Sequence, residues 1–294
     1  MSNALPATEE RNPESGDLDL RATPDLVALI AHDHAHAVTA VERAAPAIAR
    51  VVDAVVERLL RGGRLHYVGA GTSGRLGVLD ASEIPPTFGA AADLVRGHIA
   101  GGDAALTRAI EGAEDDAAAG AAMIEADVAA RDAVIGLSAS GGAPYVLQAI
   151  ERARSLGAYA AAIVNAEGSP IAAAAQDAIV LTTGAEVLAG STRLKAGTAQ
   201  KIVLNTISTA VMVRLGKVHD NLMVDVVATN AKLRARALRL VQLLTGLEVE
   251  KAQAALDAAS GRVKVAVVMT RRDVDAATAI GLLERERGSL RALL

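Results

Sequence analysis

Residues 64–77 read RLHYVGAGTSGRLG, and this stretch decides how the chain is expected to fold. The short apolar run Arg64–Val68 is typical of a buried strand, and the glycines after it predict a tight loop. A helix is predicted from Ser73 to Glu83, and the pair Pro85-Pro86 is expected to end it. A strand, a glycine-rich loop and a helix in this order indicate a parallel α/β sheet.

The same alternation continues along the chain. Further strands are predicted at Leu94–Ala100, Ala133–Leu137, Tyr159–Val164 and Ala178–Leu181. Helices are predicted from Thr23 to Leu60 with an interruption near Pro46, from Asp103 onward, at Pro144–Leu156 and at Thr192–Leu215. Beyond Asn230 the pattern is helical, although Val263–Met269 fits a strand equally well. We therefore predict a three-layer αβα sandwich around a parallel sheet of about five strands, with a small C-terminal helical domain.

Composition shifts suggest where the domains begin and end. Residues 1–22 are rich in Pro, Glu, Asp and Ser and are expected to form an extended N-terminal arm. Residues 23–244 are expected to form the sheet-containing domain, and residues 245–294 the helical C-terminal domain.

Composition also excludes several classes of function. The chain has 294 residues, 51% hydrophobic and only 1% aromatic, so it offers almost no rings on which bases could stack. With a net charge of −4 and interspersed charges, no nucleic-acid partner is expected. The absence of cysteine excludes disulfides, thiolate catalysis and Cys-based zinc sites. No signal peptide or membrane span is predicted, so a cytoplasmic location is expected.

The glycine-rich loop is the first candidate for a binding site. Backbone N–H groups at a helix N-terminus bind anions, and Gly71 lets the chain come close to one. The hydroxyls of Thr72 and Ser73 suit a compact phosphate. The spacing also matches a dinucleotide fingerprint, but Asp93 precedes the second strand and so lies at the wrong end of the sheet. A purely structural turn is the remaining alternative.

Two further loops rich in hydroxyl groups follow the third and fifth strands. The first contains Ser138, Ser140 and Gly141, and the second contains Ser191, Thr192 and Lys195. Because the carboxyl ends of parallel strands share one edge, the three loops are predicted to bind one polyhydroxylated, phosphorylated ligand. Alternatively, Ser140 and Thr192 are helix N-caps and Lys195 is a surface charge.

Carboxylates suitable for acid–base chemistry lie on two segments. Glu83 precedes the proline pair, while Glu111, Glu114, Asp115 and Asp116 follow the second strand. Acid–base catalysis needs one protonated and one ionised group, but residue chemistry alone does not choose among these acids. For any one of them taken alone, a solvated helix face is the more common explanation. No metal site is predicted, and His66 is expected to be a buried core histidine.

Several segments together closely resemble the N-acetylmuramic acid 6-phosphate etherases. They are TE at 8–9, RNP at 11–13, YVGAGTSGRLGVLDASE at 67–83, PPTFG at 85–89, AGG at 100–102, EGAED at 111–115, GSTRLKAGTAQK at 190–201, NLMVD at 221–225 and ATN at 228–230. The resemblance covers nearly the whole chain. One departure stands out, because residues 138–145 read SASGGAPY where the family usually has AASGRTPY.

This resemblance implies a sugar isomerase (SIS) fold, usually as a homodimer, with a small helical C-terminal domain. It implies cleavage of the lactyl ether of N-acetylmuramic acid 6-phosphate by elimination and water addition, giving N-acetylglucosamine 6-phosphate and D-lactate without a metal or organic cofactor. The resemblance implies that Glu83 corresponds to the family's proton donor to the departing lactate, and Glu114 to its second acid–base residue. Two alternatives on the same fold are an aldose–ketose phosphosugar isomerase and a non-catalytic phosphosugar-binding regulator.

Overall fold

The computed structural model of the protein describes residues 7–226 and 231–294, so the segment ATN at 228–230 lies outside the described residues. The chain forms two compact units. The first comprises the residues up to Ser82 together with Asp93–Ser208, and the second comprises Glu83–Ala92 and Thr209–Leu294. The predicted domain boundaries at 22 and 244 stay predictions.

A parallel sheet is the centre of the first unit. Within the described residues its five strands are β1 (Leu65–Gly69), β2 (Val95–Ile99), β3 (Ala133–Ser138), β4 (Tyr159–Val164) and β5 (Asp177–Val180). Their order is β2-β1-β3-β4-β5, and every neighbouring pair is parallel. All residues of β1, β3 and β4 are buried, as expected for strands covered on both faces. The predicted parallel sheet is confirmed.

Helices cover both faces of this sheet. The helices that begin in the first unit are α1 (Thr23–Asp33), α2 (Ala35–Leu60), α3 (Gly71–Phe88), α4 (Ala117–Asp127), α5 (Pro144–Ser155), α6 (Pro170–Ala174) and α7 (Lys195–Arg214). A Cβ added to Gly136 of β3 would meet Val146 and Ile150 of α5. The next residue, Leu137, points to the other face and lies 2.9 Å from where a Cβ on Gly77 of α3 would be. The predicted three-layer sandwich is therefore confirmed.

The first helical stretch is interrupted at a different place from the predicted one. α1 ends at Asp33 and α2 begins at Ala35, whereas Pro46 lies inside α2. At the break, the His34 ring nitrogen Nδ1 lies 2.8 Å from the carbonyl oxygen of Ile30 and competes with the backbone for it. Burial of the apolar face of α2 offsets the hydrogen bond that proline cannot donate.

The proline pair does not end α3, so that prediction was wrong. The helix continues through Pro85 and Pro86 to Phe88, five residues beyond the expected end at Glu83. Ile84 and Phe88 on this last stretch are buried, which favours helix despite the two missing N–H donors. The helix ends where Gly89 adopts a φ of +58°, a left-handed conformation typical of a helix C-terminus.

The segment after β2 is not the continuous helix that we predicted. It contains two short 3₁₀ turns, Asp103–Leu106 and Ala113–Asp115, before α4 begins. Gly102 and Gly112 have φ values of +66° and +71°, which a right-handed helix does not allow. Glu114 consequently lies in a short 3₁₀ turn rather than on the face of an α-helix.

The second unit is mainly helical, as predicted. Its elements among the described residues are the short hairpin β6 (Val218–His219) and β7 (Leu222–Met223), followed by α8 (Ala231–Thr245), α9 (Val249–Ala258), α10 (Val263–Arg272) and α11 (Ala276–Arg285). The ambiguous run Val263–Met269 is thus a helix, and its first six residues are all buried in the core of this unit. Lys264 is among them, and its ammonium donates to Asp225 Oδ2 at 2.7 Å.

Across the described ranges, no helix combines the length and the apolar character that crossing a membrane requires.

Candidate active site

The strand order of the sheet in the first unit reverses between β1 and β3. From β1 the chain proceeds to β2 on one side, and then to β3 on the other side of β1. Ligands of open α/β sheets bind where the strand order reverses in this way. Gly69 and Leu137 are paired at this point, so the loops after β1 and β3 lie side by side.

The glycines of the first loop have different tasks. A Cβ on Gly69 would lie 2.7 Å from the nitrogen of Gly74, and one on Gly74 would lie 2.7 Å from the oxygen of Gly69. These two glycines allow the strand and the helix to approach each other. Gly71 instead has a φ of +52° and nothing within 4 Å of its Cβ position. The structural interpretation of the motif therefore applies to Gly69 and Gly74, whereas the open space at Gly71 is compatible with the predicted ligand binding.

The N-terminus of α3 begins in this loop. The helix starts at Gly71, and the N–H groups of its first turn have no carbonyl one turn earlier in the helix to bond. Thr72 is half-buried, and its Cγ2 lies 3.6 Å from the Cβ position of Gly197 in α7. The structure thus brings the first and third predicted loops close together.

A cavity of about 170 Å³ lies beside this helix start. Gly71 and Glu114, two residues predicted for the site, both line it, together with Glu111 and Arg75. Arg75 Nε donates to the carbonyl oxygen of Ala105 at 2.9 Å, which ties the loop after β2 to α3. Sequence reasoning missed Arg75, although its place one turn after Gly71, on the same face of the helix, could have suggested it.

The loop after β3 is organised by its own hydroxyl groups. Ser138 Oγ accepts from the nitrogen of Gly141 at 3.1 Å, and Ser140 Oγ accepts from the nitrogen of Gly142 at 3.3 Å. Each hydroxyl keeps its proton for a further acceptor. Ser140 is not the N-cap of α5, because that position is occupied by Ala143.

The loop after β5 is anchored by a carboxylate that sequence reasoning missed. Glu186 is fully buried, and its two carboxylate oxygens accept from the nitrogens of Lys195 at 3.1 Å and Ala196 at 2.9 Å. Burial raises the pKa of Glu186 above its usual value, against these hydrogen bonds. The Glu186 carboxylate therefore caps the N-terminus of α7, in place of the expected Thr192 side chain.

Lys195, predicted as a ligand contact with a helix-surface charge as the alternative, is buried against a carboxylate. Its Nζ donates to Asp33 Oδ1 at 2.7 Å, and both side chains are only 3% exposed. Asp33 lies 162 residues earlier in the chain, so no local pattern links it to Lys195.

The two candidate catalytic carboxylates lie on different units. Glu83 lies on α3 within the second unit, and Glu114 lies in the 3₁₀ turn Ala113–Asp115 of the first unit. Both side chains are exposed. In the part of the chain that the structure describes, neither has a hydrogen-bond or ion-pair partner, so both remain available to a substrate.

A histidine pair lies on the sheet, with buried His66 on β1 and half-buried His98 on β2. His66 Nδ1 lies 3.0 Å from His98 Nε2, and together with Asp127 these are potential metal ligands. The rings are nearly coplanar, at 14°, with centres 5.3 Å apart, so the two nitrogens meet head-on. That is the geometry of an N–H···N hydrogen bond, whereas a metal needs both lone pairs to converge on one point. As predicted, His66 is a buried core residue.

This pair predicts acid sensitivity. Burial, followed by the neighbouring His98, lowers the pKa of His66 to about 4. The unfolded chain binds the proton near pH 6.5, so stability is complete above that pH and falls as the pH drops towards 4. Between pH 7.5 and 5 the free energy of unfolding is expected to fall by about 2 kcal/mol through His66 alone. Urea unfolding at the two pH values should show a smaller loss for His66→Gln than for wild type or for the exposed control His32→Gln; equal losses would refute this.

Comparison with known proteins relates the chain to one group. Residues 114–210 match the SIS domain family, and residues 47–154 match the glucokinase regulatory protein N-terminal SIS domain family. A Deinococcus radiodurans protein named N-acetylmuramic acid 6-phosphate etherase is 50% identical, covering 98% of this chain and 94% of its own length. A Symbiobacterium thermophilum protein of the same name is 54% identical, covering 89% of this chain and 87% of its own.

The chain resembles solved structures in its fold but not in its sequence. A phosphoheptose isomerase from Francisella tularensis superposes with a TM-score of 0.51 at 18% identity, covering 66% of this chain and 100% of its own. The E. coli CFT073 protein c3406 gives a TM-score of 0.50 at 18% identity, covering 68% of this chain and 97% of its own. The predicted fold class is confirmed.

Proposed function

The chain belongs to the N-acetylmuramic acid 6-phosphate etherase family, and we propose that it performs the family's reaction with Glu83 and Glu114 as its acid–base pair. It is a carbon–oxygen lyase that cleaves the lactyl ether of N-acetylmuramic acid 6-phosphate by elimination and water addition. The products are N-acetylglucosamine 6-phosphate and D-lactate. Relatives of this name share half of its residues over nearly the whole chain.

The chemistry needs two carboxyl groups. An unactivated ether resists hydrolysis, but opening the sugar ring exposes an aldehyde at C1 that acidifies the hydrogen on C2. A base removes that proton while an acid protonates the oxygen that leaves C3 with the lactyl group. Water then adds to the unsaturated aldehyde at C3, which restores the sugar.

The shared cavity of Gly71 and Glu114 is the observation that best supports this assignment. We place the substrate phosphate at the first turn of α3, where the N–H groups and the hydroxyls of Thr72 and Ser73 would bind it. Arg75 on the cavity wall adds a positive charge. This charge matters because Gly142 and Ala143 stand where the family usually has Arg and Thr.

The two glutamates take separate roles in the proposal. Glu83 protonates the departing lactate oxygen, and Glu114 removes the C2 proton and later activates water. Because both side chains are exposed and without protein partners among the described residues, either can approach a substrate without breaking an existing contact.

The other loops supply contacts to the sugar. We propose that Ser138, Ser140 and the Gly141 backbone face one side of the ligand, and that Ser191 and Thr192 face the other. We also propose that the protein acts in the cytoplasm as a homodimer in the breakdown or recycling of peptidoglycan sugars, with no nucleic-acid or membrane partner.

Product analysis tests the function. Purified protein given N-acetylmuramic acid 6-phosphate in ¹⁸O-labelled water is expected to release D-lactate and equimolar N-acetylglucosamine 6-phosphate. Elimination and water addition put the ¹⁸O on C3 of the sugar and leave the lactate unlabelled, as read by mass spectrometry. The substrate without its phosphate is the control and should react far more slowly. Formation of a ketose phosphate without lactate would contradict the proposal.

A further inference from the structure

A buried ion pair joins the end of α1 to the start of α7. The Lys195 ammonium and the Asp33 carboxylate are 2.7 Å apart, and each side chain is only 3% exposed. Removing two charges from water costs about as much as their attraction returns, so such a pair is a weak source of stability. The pair does fix the relative position of the two side chains, because if either moved away, the other would remain as an unpaired charge in the protein interior.

The same carboxylate also holds the N-terminal segment. Asn12 Nδ2 lies 3.3 Å from Asp33 Oδ1 and 3.2 Å from the carbonyl oxygen of Ala185, within donating distance of both. Four residues earlier, the carbonyl oxygen of Thr8 accepts from the nitrogen of Gly190 at 3.2 Å. Residues 8–12, here called the N-terminal clasp, therefore contact both ends of the segment 185–190.

The segment between these contacts leads directly to two proposed substrate contacts. This loop, residues 186–194, is held at both ends, because Glu186 accepts from the start of α7 and Lys195, the residue after the loop, donates to Asp33. Ser191 and Thr192 lie between them and are half-buried. Neither hydroxyl makes a hydrogen bond within the described ranges, so both are free to bind a ligand.

We propose that Asp33 and Lys195 are positioning residues, which together with the N-terminal clasp hold the loop 186–194 so that Ser191 and Thr192 face the substrate. Lys195 itself does not touch the substrate, because reaching it would break the ion pair and leave Asp33 buried and uncompensated. The inference deepens the proposed function and rests on it.

A double-mutant cycle tests the proposal, with Asp33→Asn, Lys195→Met and the double variant. Each single change strands one buried charge, so we expect at least tenfold higher KM, a smaller change in kcat and a lower melting temperature. The double variant has no stranded charge and should regain most of the KM and the melting temperature. Lys201→Met is the matched control, because Lys201 lies on the same helix and its single partner among the described residues is Asn205, so it should behave as wild type.

A direct contact between Lys195 and the substrate would give a different result. If Lys195 binds the substrate directly, the double variant regains its melting temperature but keeps the high KM of Lys195→Met, and the proposal is overturned. If the single variants do not fold, Asn12→Ala decides, because it loosens the clasp without stranding a charge. It should raise KM with little change in kcat, and an unchanged KM would refute positioning by the clasp.

A failure of the proposed function can be distinguished from a failure of the positioning proposal. Wild-type protein that releases no D-lactate would refute the etherase reaction whatever the variants do. The melting temperatures of the cycle need no substrate, and additive losses in the double variant would refute the coupling of Asp33 with Lys195 on their own.

Discussion

Replacing Glu83 or Glu114 by Gln is expected to slow D-lactate release by roughly 100- to 10,000-fold, the usual contribution of a positioned general acid or base. Glutamine keeps the size and polarity of each side chain but can neither donate nor accept the proton. Both glutamate side chains are exposed and have no hydrogen-bond or ion-pair partner among the described residues, so the melting temperature should hardly change. A loss of activity would therefore report chemistry rather than unfolding.

The matched control is Asp115→Asn. Asp115 neighbours Glu114 in the same turn and is equally exposed, but it does not line the cavity that Gly71 and Glu114 share. Its activity is expected to stay within about twofold of wild type, as for surface changes away from a site. Wild-type activity in Glu114→Gln, or a severe loss in Asp115→Asn, would show that the wrong carboxylate had been assigned.

The second large effect concerns the glycine loop, where Gly74→Ala and Gly71→Ala should fail in different ways. A Cβ at Gly74 would lie 2.7 Å from both the oxygen of Gly69 and Cγ1 of Ile99. Because part of that contact is backbone, the strand and the helix must separate, and the free energy of unfolding should fall by about 2–3 kcal/mol. Urea denaturation measures this loss.

Gly71→Ala should mainly impair binding. The position has a φ of +52° but open space around its Cβ, so the stability loss is expected to be only about 1 kcal/mol. The added methyl group enters the space where we place the phosphate, and KM should rise at least tenfold. A KM equal to that of wild type would mean that the phosphate does not bind at the start of α3.

Much of the fold could be predicted from the sequence because it depends on local patterns. Buried parallel strands are short apolar runs, and Tyr159–Val164 was predicted to the residue. The failures arose where tertiary contacts override local preference. α3 continues past two prolines because Ile84 and Phe88 become buried there, and the local sequence pattern does not reveal this burial.

The candidate site was accessible from the sequence only in part. The sequence singled out Gly71 and Glu114 as candidates, and these two residues line one cavity. The contacts of Lys195 were not predicted, because its partner Asp33 lies 162 residues away and a lysine among hydroxyl groups is also typical of an anion site. Nor could the sequence distinguish Gly71 from Gly74, since the difference depends on the position of Ile99.

Deuterium exchange at C2 of the sugar tests the acid–base pair most directly. In ²H₂O, wild-type protein is expected to yield N-acetylglucosamine 6-phosphate with one deuterium at C2. Glu83→Gln should exchange the C2 hydrogen of the substrate without releasing lactate, and Glu114→Gln should do neither. Wild-type product that retains its original C2 hydrogen while lactate is released would contradict elimination, and with it the roles assigned to both glutamates.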